Sequence, residues 1–160
     1  MPVRWEPLSN GVEIAVSPPH HFGADALLLA AFARPQKQDN VCDLGTGCGV
    51  IPFWWLSRGL LRHADGVDIS PEAIALAQQS LQHNHGEDSL SFLCGDWDKL
   101  TDVLPQGVYD LVTCNPPYFP PGSGGVSADP MQRRIRHEPD DAMLNRLCRS
   151  AGRLLKNGVR

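Results

Sequence analysis

This chain has no apolar stretch long enough to cross a bilayer. Its longest uninterrupted run, Ala26 to Ala33, falls well short of the ~20 residues that a spanning helix needs. The N-terminus lacks the charged, apolar and small-residue order of a secretion signal, so a cytoplasmic protein with no membrane partner is expected. Paired cysteines are missing as well. Cys42, Cys48, Cys94, Cys114 and Cys148 are odd in number, and none falls in a CxxC spacing. Three of them sit in or beside apolar strand-like runs, which predicts buried reduced thiols rather than a disulfide frame. Nor is the chain basic: its formal charge of -4 excludes a uniformly positive nucleic-acid binder. The charge is nevertheless uneven. Residues 131–160 carry eight Lys/Arg against three acids, while the first 130 residues carry six against fifteen. That basic end reads either as a phosphate-facing surface or as a solvated helix face. No repeat or interdomain linker interrupts the 160 residues, which predicts one domain, 1–160, with a hairpin-and-helix segment (1–35) ahead of the core (36–160).

What is present has a clear rhythm. Val3 to Val16 reads as two short strands about Asn10-Gly11, a dipeptide suited to tight hairpins. Ala24 to Ala33 reads as a helix apolar on most sides and stopped by Pro35. From Val41 onward strands and helices alternate. Val41–Leu44 is a strand, Val50–Leu61 a helix with Pro52 in its first turn, and Gly66–Ile69 a second strand. Ser70 is an N-cap with Pro71 at the first helical position, and the helix runs from Glu72 to about Asn84. Ser89–Cys94 and Tyr109–Cys114 are further strands. Asp140-Asp141 opens a last helix through Leu155, followed by Asn157-Gly158 and, at Val159-Arg160, the first step of a fifth strand. This order predicts a doubly wound α/β fold with a parallel sheet, in which ligands bind outside the carboxyl ends of the strands.

All four strands end there in residues that serve packing poorly. The first runs into Asp43-x-Gly45-x-Gly47-x-Gly49, which is not the GxGxxG of dinucleotide sites. Glycines there let the backbone approach a ligand closely, and the acidic residue before them suits a cation and would repel a pyrophosphate. Asp68, at the second strand tip, is placed for ribose hydroxyls. Asp96 is placed for an adenine amino group, with Ile69 and Trp97 flanking the ring. A ligand with a cation, a ribose and an adenine but no phosphate is S-adenosylmethionine. The fourth strand ends in Asn115-Pro116-Pro117-Tyr118-Phe119. The Asn115 side-chain oxygen and the Pro116 carbonyl can accept hydrogen bonds from an exocyclic amine, drawing its nitrogen toward a tetrahedral geometry. Pro116 and Pro117 restrict φ and hold those acceptors, while Tyr118 stacks on a planar substrate. The chemistry needs no metal, so none is expected. His83 and His85 have an HxH spacing with no third ligand, Trp54 and Trp55 read as packing residues, and Cys48 reads as a small tolerated residue. His20 and His21 precede a helix that covers the cofactor.

The order of Asp43-Leu44-Gly45-Thr46-Gly47-Cys48-Gly49, Asp68, Asp96 and Asn115-Pro116-Pro117-Tyr118 resembles class I S-adenosylmethionine-dependent methyltransferases, in the branch called the methyltransferase small domain. Phe22-Gly23-Ala24-Asp25-Ala26-Leu27-Leu28-Leu29-Ala30 and the spacing to Arg134-x-Arg136-His137-Glu138 are similar to the bacterial tRNA1(Val) adenine-N6 methyltransferase family. The resemblance implies a Rossmann-like sheet of order 3-2-1-4-5-7-6, here stopping after the start of its fifth strand and leaving an edge through which the chain could associate. It implies a cofactor set that includes Thr46 and Asn115 beside the residues above. It also implies N-methylation of an exocyclic amine, adenine N6 of tRNA or other structured RNA, with Arg133, Arg134, Arg136 and the C-terminal basic helix meeting phosphates. Three alternatives stay open: a glutamine side-chain amide of a release factor, guanine N2 of rRNA, and a non-catalytic cofactor- or RNA-binding module.

Overall fold

The computed structural model describes residues 2–99, 104–116 and 140–158. The Asn10-Gly11 turn takes the geometry its residue types favour, with φ of 56° and 78°. It joins β1 (Arg4–Pro7) to β2 (Glu13–Val16) in an antiparallel pair. This hairpin is fastened to the body by polar side chains. The Ala15 N–H donates to the buried Ser80 Oγ (2.9 Å), the Glu13 N–H donates to Asn84 Oδ1 (3.0 Å), and Asn84 Nδ2 donates back to the Glu13 carbonyl (2.7 Å). Helix α1 (Ala24–Ala33) follows, and Arg34 closes it in a left-handed conformation.

The central sheet consists of β3 (Asn40–Leu44), β4 (His63–Asp68), β5 (Leu90–Cys94) and β6 (Leu111–Cys114). All pairs are parallel, in the order β5-β4-β3-β6. Numbered within the sheet this is 3-2-1-4, the order expected of the class I methyltransferase fold. The direction of strand addition reverses between β3 and β6, and such a reversal opens a crevice at the strands' carboxyl ends. Helices α2 (Val50–Ser57) and α3 (Pro71–His83) connect the first three of these strands, and α4 (Asp140–Leu154) follows β6 in sequence. Ser70 caps α3 as its chemistry predicts, its Oγ accepting from the Ala73 N–H at 3.2 Å.

Two apolar layers flank the sheet. One gathers Ile14, Trp55, Phe53, Ile74, Phe92 and their neighbours under the hairpin, α1, α2 and α3. The other gathers Cys42, Leu44, Val67, Leu104, Tyr109 and Leu154 beneath α4. Trp55 is fully buried and donates its indole N–H to the Ala30 carbonyl (2.9 Å), so it is a packing residue that ties α2 to α1. Trp54 is partly buried, with the Arg58 guanidinium 4.3 Å from its ring centre. Gly66, in the middle of β4, leaves room for the Phe92 ring: a Cβ there would come within 2.6 Å of it.

Several boundaries differ from the sequence reading. β4 begins at His63 rather than Gly66, because Asp65 has cross-strand partners: it accepts from Ser91 Oγ and from the Tyr109 hydroxyl (2.7 Å). α2 ends at Ser57 rather than Leu61. Gly59 turns there with φ of 62°, the Leu60 N–H reaches back to the Trp55 carbonyl (3.1 Å), and Leu60 and Leu61 pack on the core outside the helix. β6 is shorter than expected because Tyr109 makes only an isolated parallel bridge, to Leu155. That bridge brings the chain after α4 alongside the outer side of β6. The fifth strand read at Val159-Arg160 lies outside the described residues. The thiols are free, but Cys94 and Cys148 are exposed and Cys114 is half-buried, so only Cys42 and Cys48 meet the expectation of burial.

Candidate active site

The glycine loop is shaped by backbone before any ligand is considered. Gly45, Gly47 and Gly49 all have positive φ (73°, 57° and 85°), which explains the spacing of glycines along Asp43–Gly49. The Gly45 and Thr46 N–H groups both donate to the Val67 carbonyl (2.8 and 2.9 Å), seating the loop across β4, and Gly49 is the N-cap of α2. A cavity of about 200 Å³ lies against this loop. Asp43, Gly45, Thr46 and Gly47 line it from the sheet side, and Asn115 lines it from the end of β6. His21, Phe22, Asp25 and Ala26 close it from the start of α1, the helix expected to cover the cofactor, although only His21 of these was named for the site beforehand.

Asp43 is fully buried, with one carboxylate oxygen accepting from Thr113 Oγ1 (2.7 Å). Among the described residues the other oxygen, Oδ2, and the buried hydroxyl of Thr46 make no well-formed hydrogen bond, although the hydroxyl lies near enough to the carboxylate to favour its charged form. Burial pushes the Asp43 carboxyl up to about 7, against the pull of the threonine hydroxyls. A buried acid with a spare oxygen, opening on a cavity, is the kind of group that a cationic ligand completes.

Asp68, Ile69, Asp96 and Trp97 lie at the tips of β4 and β5 as expected, but not in the lining of that cavity. Three of these side chains, Asp68, Asp96 and Trp97, are already engaged. Asp68 Oδ2 accepts from the Gly47 N–H (2.7 Å) and its Oδ1 from the Ser70 N–H (2.9 Å), so this carboxylate joins the glycine loop to the start of α3. Asp96 Oδ1 accepts from the Asp98 N–H (3.1 Å). The Trp97 ring packs in the α4 layer, 5.7 Å from the Arg146 guanidinium. Each carboxylate oxygen keeps a second lone pair, so the two acids can still accept from a ligand.

Asn115 and Pro116 are half-buried at the end of β6. Asn115 Nδ2 donates to Asp25 Oδ2 at 2.7 Å, a contact across 90 positions that holds the Asp25 carboxyl below its ordinary range. Pro117, Tyr118, Arg133, Arg134 and Arg136 lie outside the described residues. On α4, Arg146 faces Asp98 (3.9 Å) and Trp97, and just beyond the helix Lys156 pairs with Asp110 (2.6 Å), while Arg149 and Arg153 are exposed. The basic helix is therefore partly committed within the fold. The HxH pair is divided too: His83 bonds Glu13 (3.0 Å) and stacks on Trp5.

Comparison with known proteins agrees with this geometry. The family model described as Methyltransferase small domain matches residues 22–137. A tRNA1(Val) (adenine(37)-N6)-methyltransferase of Vibrio vulnificus is 33% identical over 129 residues, 78% of this chain and 51% of that protein. A ribosomal protein uL3 glutamine methyltransferase of Bordetella pertussis is 30% identical over 112 residues, 69% of this chain and 35% of that protein. The chain thus spans about half the length, or less, of these curated relatives. In fold it is similar to the crystal structure of geranyl diphosphate C-methyltransferase from Streptomyces coelicolor, with a TM-score of 0.58 at 17% identity over 85% of this chain and 43% of that one. No helix among the described residues is long and apolar enough to cross a membrane.

Proposed function

Because this chain belongs to the methyltransferase small domain family, we propose that it transfers a methyl group from S-adenosylmethionine to an exocyclic amine, adenine N6 of a structured RNA. The observation that carries the reading is the cavity itself. The buried, half-satisfied Asp43, the open glycine loop and the Asn115 amide converge on it from β3 and β6. The donor set fits the cofactor: the spare Asp43 oxygen suits an ammonium, the glycine loop admits a chain without steric conflict, and Asp68 and Asp96 offer acceptors for sugar and base.

S-adenosylmethionine, when bound, supplies an electrophilic methyl group and needs no metal. The protein's part is orientation and charge placement. An amine conjugated to an aromatic ring is a weak nucleophile because its lone pair is delocalised. The Asn115 Oδ1 and the Pro116 carbonyl accept its two N–H groups, localising the lone pair and steadying the positive charge that builds on nitrogen. Asp43 anchors the cationic end of the cofactor, and Thr46 offers a hydroxyl beside it; for Pro117 and Tyr118, outside the described residues, the rigid and stacking roles rest on the sequence motif alone. RNA is the favoured partner because of the tRNA-modifying relative and the exposed Arg149 and Arg153.

The test is to incubate the chain with labelled cofactor and, separately, total tRNA, rRNA and release factor. Label in tRNA adenine supports the reading, and label only in the protein substrate replaces it with a glutamine amide, the reading favoured by the uL3-modifying relative. Asn115→Ala should keep cofactor affinity while lowering transfer by about 100-fold, the loss typical of one transition-state hydrogen-bonding group. A wild-type rate in that variant rejects the role given to Asn115.

A further inference from the structure

We propose that Asp25 is the positioning residue for the Asn115 amide, fixing which of its two ends faces the substrate; this rests on the reading of Asn115 as an acceptor. A primary amide is a nearly symmetrical fork. Half a turn about its last torsion exchanges an oxygen that accepts for a nitrogen that donates. Only the oxygen can take an N–H from the substrate amine, so a free Asn115 would present the wrong end for part of the time. An ionised carboxylate accepts and cannot donate. The 2.7 Å contact with Asp25 Oδ2 therefore admits only Nδ2, and Oδ1 is left on the other arm of the fork.

Asp25 is itself held in place from two directions. It stands second in α1, where the Asp25 and Ala26 N–H groups at the open helix end turn toward its carboxylate. Its Oδ1 also lies over Gly23, where a Cβ would come within 2.4 Å of it. Gly23 offers α1 no side-chain cap, so Asp25 supplies the acceptor there and reaches the end of β6 with its second oxygen. Both Asp25 and Asn115 line the cavity against the glycine loop. Asp25 is exposed and contributes no packing to the core, which makes a purely structural explanation of this arrangement weak.

The test uses the full chain with Asp25→Ala, Asp25→Asn, Gly23→Ala, Asn115→Ala and the Asp25→Ala/Asn115→Ala pair. Nuclear magnetic resonance follows the side-chain NH2 signals of Asn115, identified by their loss in Asn115→Ala. In the wild type these two protons should be widely separated and slow to exchange. In Asp25→Ala they should draw together and exchange faster, and Gly23→Ala, which pushes the carboxylate aside, should move them the same way. Methyl transfer to total tRNA in Asp25→Ala should fall about 10- to 100-fold, in line with the penalty for a misoriented reacting group. Cofactor affinity by calorimetry should fall far less than the rate. Asp25→Asn, whose amide can turn a donor as well as an acceptor toward Asn115, should lose a similar share of the rate, and the double variant should be no slower than Asn115→Ala alone. Unmoved Asn115 signals in Asp25→Ala, or losses that multiply in the double variant, overturn the proposal. If the wild-type chain labels neither RNA nor protein, the methyl-transfer reading fails instead, and the resonance comparison still decides whether Asp25 sets the amide.

Discussion

The two ends of the strand-tip crevice differ in where their hydrogen bonds go. Beside the glycine loop, Asp43 Oδ2 and Thr46 Oγ1 are buried and make no well-formed hydrogen bond among the described residues. Some distance along the same sheet edge, Asp68 gives both of its oxygens to backbone N–H groups, and Asp96 does the same with one. The first end is incomplete without a ligand. The second holds the protein's own loops in shape and has only spare lone pairs to offer. On the proposed reading, binding strength and loop stability are thus lodged in different acids, although both look alike as aspartates closing a strand.

The strongest way to break this comparison is Asp43→Asn. It removes the charge from the unsatisfied end and should weaken S-adenosylmethionine by about 10- to 100-fold, the effect of losing a charge-assisted hydrogen bond of about 1.5–3 kcal/mol. The empty protein at pH 8 should melt no lower than the wild type, since a buried carboxylate has been replaced by a neutral group. Calorimetry and a thermal melt on the same sample decide it; a large drop in melting temperature would make Asp43 a structural residue like Asp68.

A milder test uses pH. With the Asp43 carboxyl at about 7 in the empty site, its stability contribution is fully present at pH values below the ordinary carboxylate range. That contribution is lost as pH rises through about 7, because the charged form is the one burial disfavours. Cofactor binding runs the other way, since a cation selects the ionised acid. Its dissociation constant should rise about tenfold per pH unit below 7 and level off above it, with a proton released on binding at pH 6. A flat profile from pH 6 to 8 would remove Asp43 from the cofactor's cationic end.

The smallest expected effect sharpens the other side. Asp68→Asn can still accept from one N–H but turns a donor toward the second, so the protein should lose about 1 kcal/mol of stability, the value of one hydrogen bond. Chemical denaturation measures that directly. Weakened cofactor binding with unaltered stability would mean that the two ends are built alike.

Much of the fold could be read from residue types alone, because the signals are local. Asn10-Gly11 requires positive φ, Ser70-Pro71 starts a helix, and the glycines of Asp43–Gly49 fall where the backbone turns left-handed. The strand order came from the family resemblance and not from residue types. What escaped is what depends on partners far along the chain. The strand begun at Gly66 starts earlier because Asp65 has partners in Tyr109 and Ser91, which nothing local to it reveals. Leu60 and Leu61 extended the apparent helix because an apolar residue reads the same whether it packs from a helix or from the turn after it. Asp25 was noted within residues 22–30 but given no role of its own, because its partner lies at the end of β6. Gly23 beside it was the available hint: a glycine that is not needed for its φ marks a place where another group comes close.

The fastening of the hairpin to α3 has a consequence for how the protein is made. The Glu13–Asn84 bonds span 71 positions and the Asp25–Asn115 bond spans 90, so the wall of the pocket built by α1 depends on contacts whose loops are slow to close. A chain emerging from the ribosome can shape its glycine loop as soon as β3 and β4 pair. It cannot close the cavity until β6 has joined the sheet. The pocket against the glycine loop is therefore closed late in folding, and cofactor capture at this proposed site by a nascent chain would report the moment at which β6 joins the sheet.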